Sequence, residues 1–192
     1  YNFRLNTTFK LSPKVNITNS FSYNSSRTDK SSKGSGGFLL SLLTWPPDDD
    51  ITQYTNPDGS RRTIRGDLNA AEDDNPFWDV NKNVSYDIND RLIGNVQLNW
   101  DVNKWLSFNL LQGVDYYATV GTWYTHPQSN FARTVGGILQ QYRENQRLLN
   151  GAYRATFRKR FGKFNNTLMT AFTFDSRRYE VNSVKGERVF DP

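Results

Sequence analysis

The 192-residue chain has no cysteine, one histidine and one methionine. Without cysteine there is no disulfide framework, no zinc–thiolate site and no thiol nucleophile. The lone histidine, His126 in a THPQ stretch, has no relay partner nearby in sequence. It is read as a solvated loop residue, and the chain is read as no enzyme. Long apolar runs are missing too. The longest, FLLSLLTW at 38–45, falls well short of the ~20 residues that a membrane helix needs. That shortage leaves one membrane solution open, because barrel strands cross a bilayer in ~9–11 alternating residues. The net charge is +5 but scattered rather than gathered on a stripe, so nucleic acid is not an expected partner.

What the chain does have is aromatic residues, 15% of the total, set into ribbons of period two. Tyr1, Phe3, Leu5, Thr7, Phe9 and Leu11 alternate with Asn2, Arg4, Asn6, Thr8 and Lys10. Five further ribbons follow, at Val15–Tyr23, Leu92–Trp100, Leu106–Tyr116, Leu149–Phe157 and Phe164–Phe174. Such alternation marks strands with unlike faces, and no helical periodicity of comparable length accompanies it. The apolar faces carry no charge between the ribbon ends. Arg4, Lys10, Arg154 and Arg158 fall on the polar faces, as do Asp115 and Asp175. Aromatic residues gather at both ribbon ends, as two interfacial belts would require. Asn19, Gln112 and Asn166 interrupt the apolar faces.

Short joins at 12–13, 101–104 and 159–163 alternate with long ones, roughly 25–89, 118–146 and 179 to the end. That rhythm predicts an all-β, antiparallel, up-and-down transmembrane β-barrel segment with long extracellular loops. A passive porin-like barrel fits the same rhythm. A soluble extracellular glycan-binding β-sandwich shares the alternation, with its apolar faces turned into a core.

The long segments hold GGFLLSLLTWPPDDD (36–50), YTNPDGSRRTI (54–64) and DNPFWDVNKN (74–83). They are followed by DRLIGNVQLNWDVNKWLSFNLLQGVDYY (90–117). In this order Asn75-Pro76-Phe77-Trp78, Arg91 to Val96, Trp105 to Ser107, then Gly113 and Asp115 resemble the middle of the barrel of SusC/RagA-type TonB-dependent outer-membrane transporters. The resemblance is best over residues 36–117. It implies a Gram-negative outer-membrane location and active import of oligosaccharides or peptides. It further implies energy supplied through TonB, a SusD-like surface lipoprotein as partner, and no cofactor. Residues 1–192 then form a fragment of the barrel domain, without plug or TonB box, contributing about six strands of a larger barrel.

Within that frame, loop aromatics are the candidate cargo contacts: Trp123, Tyr124, Trp45 and Trp78. Packing of the loops is the competing role, favoured for Phe77 and Trp78. Arg4, Lys10, Arg154 and Arg158 are expected to face the lumen, where a plug could pair with them. The acidic runs Asp48–Asp50 and Glu72–Asp74 are read as solvated, with no spacing that fixes a glycosidase pair or a calcium site. Asn56-Pro57-Asp58-Gly59 reads as a turn.

Six unclosed strands leave two hydrogen-bonding edges open. The isolated segment should therefore give no discrete conductance steps in planar-bilayer recordings. Unitary steps would contradict the fragment reading.

Overall fold

In the computed structural model, residues 1–31, 33–34, 37–66 and 72–189 are described. Gly36 and residues 67–71, inside the stretch that carries the family resemblance, lie outside them. The chain forms one six-stranded antiparallel sheet in sequence order, which does not close on itself. Its strands are β1 (Asn2–Ser12), β2 (Val15–Asp29), β3 (Val84–Asp101), β4 (Leu106–Thr125), β5 (Ile138–Phe161) and β6 (Phe164–Glu187). Two short helices, α1 (Phe38–Thr44) and α2 (Pro76–Lys82), lie between β2 and β3.

All six ribbons are strands, and the three short joins are tight turns. Asn103 Oδ1 accepts the Trp105 and Leu106 amides at 2.9 and 3.0 Å, closing the β3–β4 connection. The β5–β6 turn is Gly162-Lys163, with Gly162 at φ +58°, a conformation that costs glycine least. The long joins are shorter than expected. β2 runs on to Asp29, β3 already begins at Val84, β4 reaches Thr125 and β5 starts at Ile138. In β5 the extension Gln140–Gln146 is polar on both faces, so period-two hydropathy vanishes there while pairing continues, whereas Val84, Tyr86 and Ile88 keep the alternation at the start of β3. The helices were also absent from the sequence reading. Each is 7 residues, about two turns, too short for a 3.6-residue period to register. A cap does announce α2: Asn75 Oδ1 accepts the Phe77 amide at 2.8 Å and Pro76 occupies the first turn.

Contacts divide the chain into two compact units, one of Tyr1–Ser26, Asn89–Ala118 and Glu144–Val181, the other of Arg27–Ile88, Thr119–Arg143 and Asn182–Pro192. In the first, the β1–β2 register sets Phe3 opposite Tyr23, Leu5 opposite Phe21 and Phe9 opposite Ile17, on one face. Phe3 meets Phe21 edge-on at 6.2 Å, and Trp100 meets Phe108 at 5.7 Å. No described apolar side chain of this unit is buried. Leu11, Leu168 and Phe172 are 66%, 67% and 62% exposed. Two of the polar intruders on this face are satisfied. Asn19 lies opposite Thr7 and accepts its hydroxyl. Gln112 donates to the Asn150 carbonyl at 2.9 Å and accepts the Tyr153 hydroxyl at 2.7 Å.

The other face of this unit is polar and cross-linked. Arg91 forks onto Asp115 at 2.6 and 3.0 Å, and Asn109 donates to Asn99 at 2.5 Å. Asn150 packs so closely over Gly113 that a Cβ there would fall 2.2 Å from its Oδ1. The second unit has the only buried hydrophobic residues among those described, Trp78 and Ala132.

Candidate functional site

In the second unit the segment from β2 to β3 is held by polar anchors more than by apolar packing. Trp78 is fully buried and donates its indole N–H to Ser129 Oγ at 2.8 Å. Ser129 in turn donates to Asn83 Oδ1 at 2.8 Å, and the same oxygen takes the His126 amide at 2.9 Å. His126 meets the Trp78 ring edge-on at 4.8 Å, and its Nδ1 accepts the Gln128 amide at 3.1 Å. His126 is thus buried, not solvated: with Trp78 on one side and its ring nitrogen used locally, it is part of the packing.

A second anchor is the ion pair of Arg61 and Asp74, whose side chains are 1% and 3% exposed, with Nε and Oδ1 3.2 Å apart. Arg61 also donates to the carbonyls of Gln128 and Glu72 at 2.9 and 2.8 Å, while Asp74 accepts the Asn130 amide at 2.9 Å. Burial pushes the Asp74 carboxyl up from the ordinary range, against the pull of Arg61. The Glu72–Asp74 run is therefore not simply solvated. Asp74 ties the two connecting segments together, and Glu72 caps the Ile64 and Arg65 amides at 2.7 and 3.2 Å.

Asp48–Asp50 divides its work in the same way. Asp49 pairs with Arg62 at 2.5 Å and accepts the Trp45 indole N–H at 3.0 Å. Asp50 accepts the Thr52 amide and hydroxyl at 3.0 and 2.7 Å. The Asn56–Gly59 stretch is the expected turn: the Gly59 amide donates to Asn56 at 2.9 Å, and Asp58 accepts the Ser60 amide at 2.9 Å. Arg62 holds the Asp49 carboxyl below the usual aspartate range, and the Thr52 and Ser60 side chains do the same for Asp50 and Asp58.

The four candidate aromatics do not form one cluster. Trp78 has no exposed face, the packing role weighed for it from sequence. Trp45 is half-buried and tied to Asp49, and Tyr124 meets His126 edge-on at 6.5 Å. Trp123 alone of the four is open, 52% exposed, and it walls two cavities, of about 630 and 370 Å³. Arg4, Lys10, Arg154 and Arg158 are exposed on the first unit's strands. Arg4 lies opposite Ser22 and Lys10 opposite Asn16, while Arg158 reaches Ser107 Oγ at 3.3 Å.

Sequence reasoning missed a three-strand contact in the second unit. Tyr142 on β5 lies across Gly121 of β4, where a Cβ would fall 2.0 Å from its ring, and donates its hydroxyl to Asp87 of β3 at 2.5 Å. Lys30 pairs with the same carboxylate. The one available signal was Gly121, an isolated glycine inside a strand pattern, which marks a close approach.

Two outcomes follow for the anchors. Replacing Arg61 with Met leaves Asp74 buried without its cation, which costs ~3–5 kcal/mol. Hydrogen exchange at the Asn130 amide should accelerate accordingly; unchanged protection would deny the pair its anchoring role. For Asp50 and Asp58 the folded pKa is depressed, so their stabilisation is complete above the unfolded carboxylate range of ~4 and is lost as pH falls through the lower folded values. Protection of the Thr52 and Ser60 amides, corrected for intrinsic rates, should be flat from neutral pH down to that range and fall below it. Protection that rises on acidification would reverse the assigned sign.

No protein-family model matches the chain, and no curated protein matches it. It is similar to a solved structure of the RagAB peptide transporter, with a TM-score of 0.69 and 15% identity, over 98% of this chain and 22% of that one. At this identity the likeness establishes fold alone, that of an antiparallel β-barrel segment. The chain spans about a fifth of the transporter chain's length.

Proposed function

We propose that the chain forms wall strands and outer loops of a TonB-energised importer in a Gram-negative outer membrane, a transporter rather than an enzyme. Its cargo is oligosaccharide or peptide, delivered with a SusD-like surface lipoprotein. The observation that carries this reading is the unburied apolar face of the first unit. Val96, Trp100 and Phe172 lie exposed on that face, while Arg91, Asp115, Asn99 and Asn109 cross-link the other. A soluble sandwich would bury such a face against a second sheet; here the sheet is single. Hydrocarbon on one side and an aqueous, plugged lumen on the other suit both faces at once.

Two observations support the family part of the proposal. The ordered motifs from Asn75 to Asp115 resemble SusC/RagA-type importers, and the fold is similar to that of a peptide transporter. Strands of 18 to 24 residues in β3–β6 exceed the ~9–11 that a bilayer requires, so the wall continues into water beyond it. On this reading Arg4, Lys10, Arg154 and Arg158 point into the lumen and meet the plug.

Arginine at Leu98 or Leu110 in the full-length protein tests the facing. At mid-bilayer either should cost ~2–4 kcal/mol, read as reduced assembly and a lower urea midpoint in liposomes. Arginine at Asn95, on the opposite face, should be tolerated. Normal assembly of both leucine variants would overturn the proposal.

A further inference from the structure

We infer that the second unit carries a two-part ligand subsite that shares Trp123, fitted to a peptide segment bearing a large apolar side chain. The inference rests on the importer reading and names which part of the cargo is met here. Its basis is one half-exposed ring, Trp123, that lines two cavities.

One is the cavity of about 630 Å³, whose lining includes Lys30, Asp87, Trp123 and Tyr142, with Asp29 and Lys33 adding one further charge of each sign. Its polar end is fixed. The Tyr142 ring lies over Gly121 and aims its hydroxyl at Asp87 Oδ1, and Lys30 is held both by that carboxylate and by its own amide, which donates to Ser85 at 2.8 Å. Cation and anion neutralise one another here. What they leave for a ligand is a remaining ammonium N–H and carboxylate lone pairs, side by side. A neutral amide, with one donor and one acceptor, matches that offer without adding a buried charge.

The other is the cavity of about 370 Å³, where Trp123, Phe131 and Ile138 share the lining with Asp79 and with the cationic side chains of Lys33 and Lys185. Phe131 is 62% exposed. An apolar side chain seated against these residues removes both its own surface and theirs from water, the arrangement that concentrates binding energy in few residues.

The test is calorimetric titration of the detergent-solubilised full-length protein with three probes: glycyl-phenylalanyl-glycine blocked at both ends, blocked triglycine, and maltotriose. The phenylalanyl peptide should bind about tenfold or more tightly than triglycine, and Trp123→Ala or Phe131→Ser should erase that preference. Both positions are more than half exposed, so the variants keep the wild-type melting profile. Equal affinity for the two peptides overturns the inference, as does a preference that survives both substitutions. Maltotriose bound by the wild type and lost in Trp123→Ala would make this a glycan site instead. Absence of binding by every probe also overturns it. The importer reading is judged separately, by the Leu98 and Leu110 variants.

Discussion

An apolar sheet face that the protein does not cover is the constraint on which the rest depends. Each leucine or phenylalanine left in water forgoes ~1.5–3 kcal/mol, and the first unit presents many of them on one side. Nothing among the described residues compensates, since the buried hydrophobic ones lie in the other unit. The same face explains two polar details. In hydrocarbon an unpaired amide has no water to fall back on. Asn19 is matched to Thr7 across the hairpin, and Gln112 is saturated by Tyr153 and a backbone carbonyl.

The second unit solves a different problem. Long connections between strands have few apolar residues to bury, so they are fixed by side chains that each satisfy several backbone groups. Arg61 spans Gln128, Glu72 and Asp74, and Asn83 Oδ1 collects two donors. Such anchors hold loops without a large core. They also leave Trp123 and Phe131 open, since neither is needed to hold the loops in place. Tyr142 adds a rigid floor because glycine at 121 lets its ring lie flat across β4.

The strands were legible because one stretch of each has an apolar and a polar face, which writes a period of two into Phe3, Leu5 and Phe9 or Leu106, Phe108 and Leu110. Where both faces are wet, as from Gln140 to Gln146, the period disappears and the strand with it. The turns were legible from their chemistry: Gly162, and Asn56 to Gly59, needed no long-range partner. The anchors were not. Arg61 finds Gln128 at a separation of 67 residues, and Tyr142 finds Asp87 at 55, distances over which no local pattern carries information. Trp78 and Trp123 look alike in sequence, both aromatic residues in or beside long connections. Only the fold separates the buried indole that holds Ser129 from the open one that walls two cavities.

These 192 residues hold no cysteine, so site-directed labels in them, with any cysteine elsewhere in the full-length protein replaced, measure the central claim directly. Single cysteines placed at Leu98, Leu110, Asn95 and Asn109 of the full-length protein in liposomes can carry nitroxide labels for oxygen and nickel-chelate relaxation. Labels at 98 and 110 should relax strongly with oxygen and little with the nickel chelate, the mark of lipid, while those at 95 and 109 should favour the chelate. Leucine-site labels shielded from both reagents would place that face inside a protein core and contradict the account.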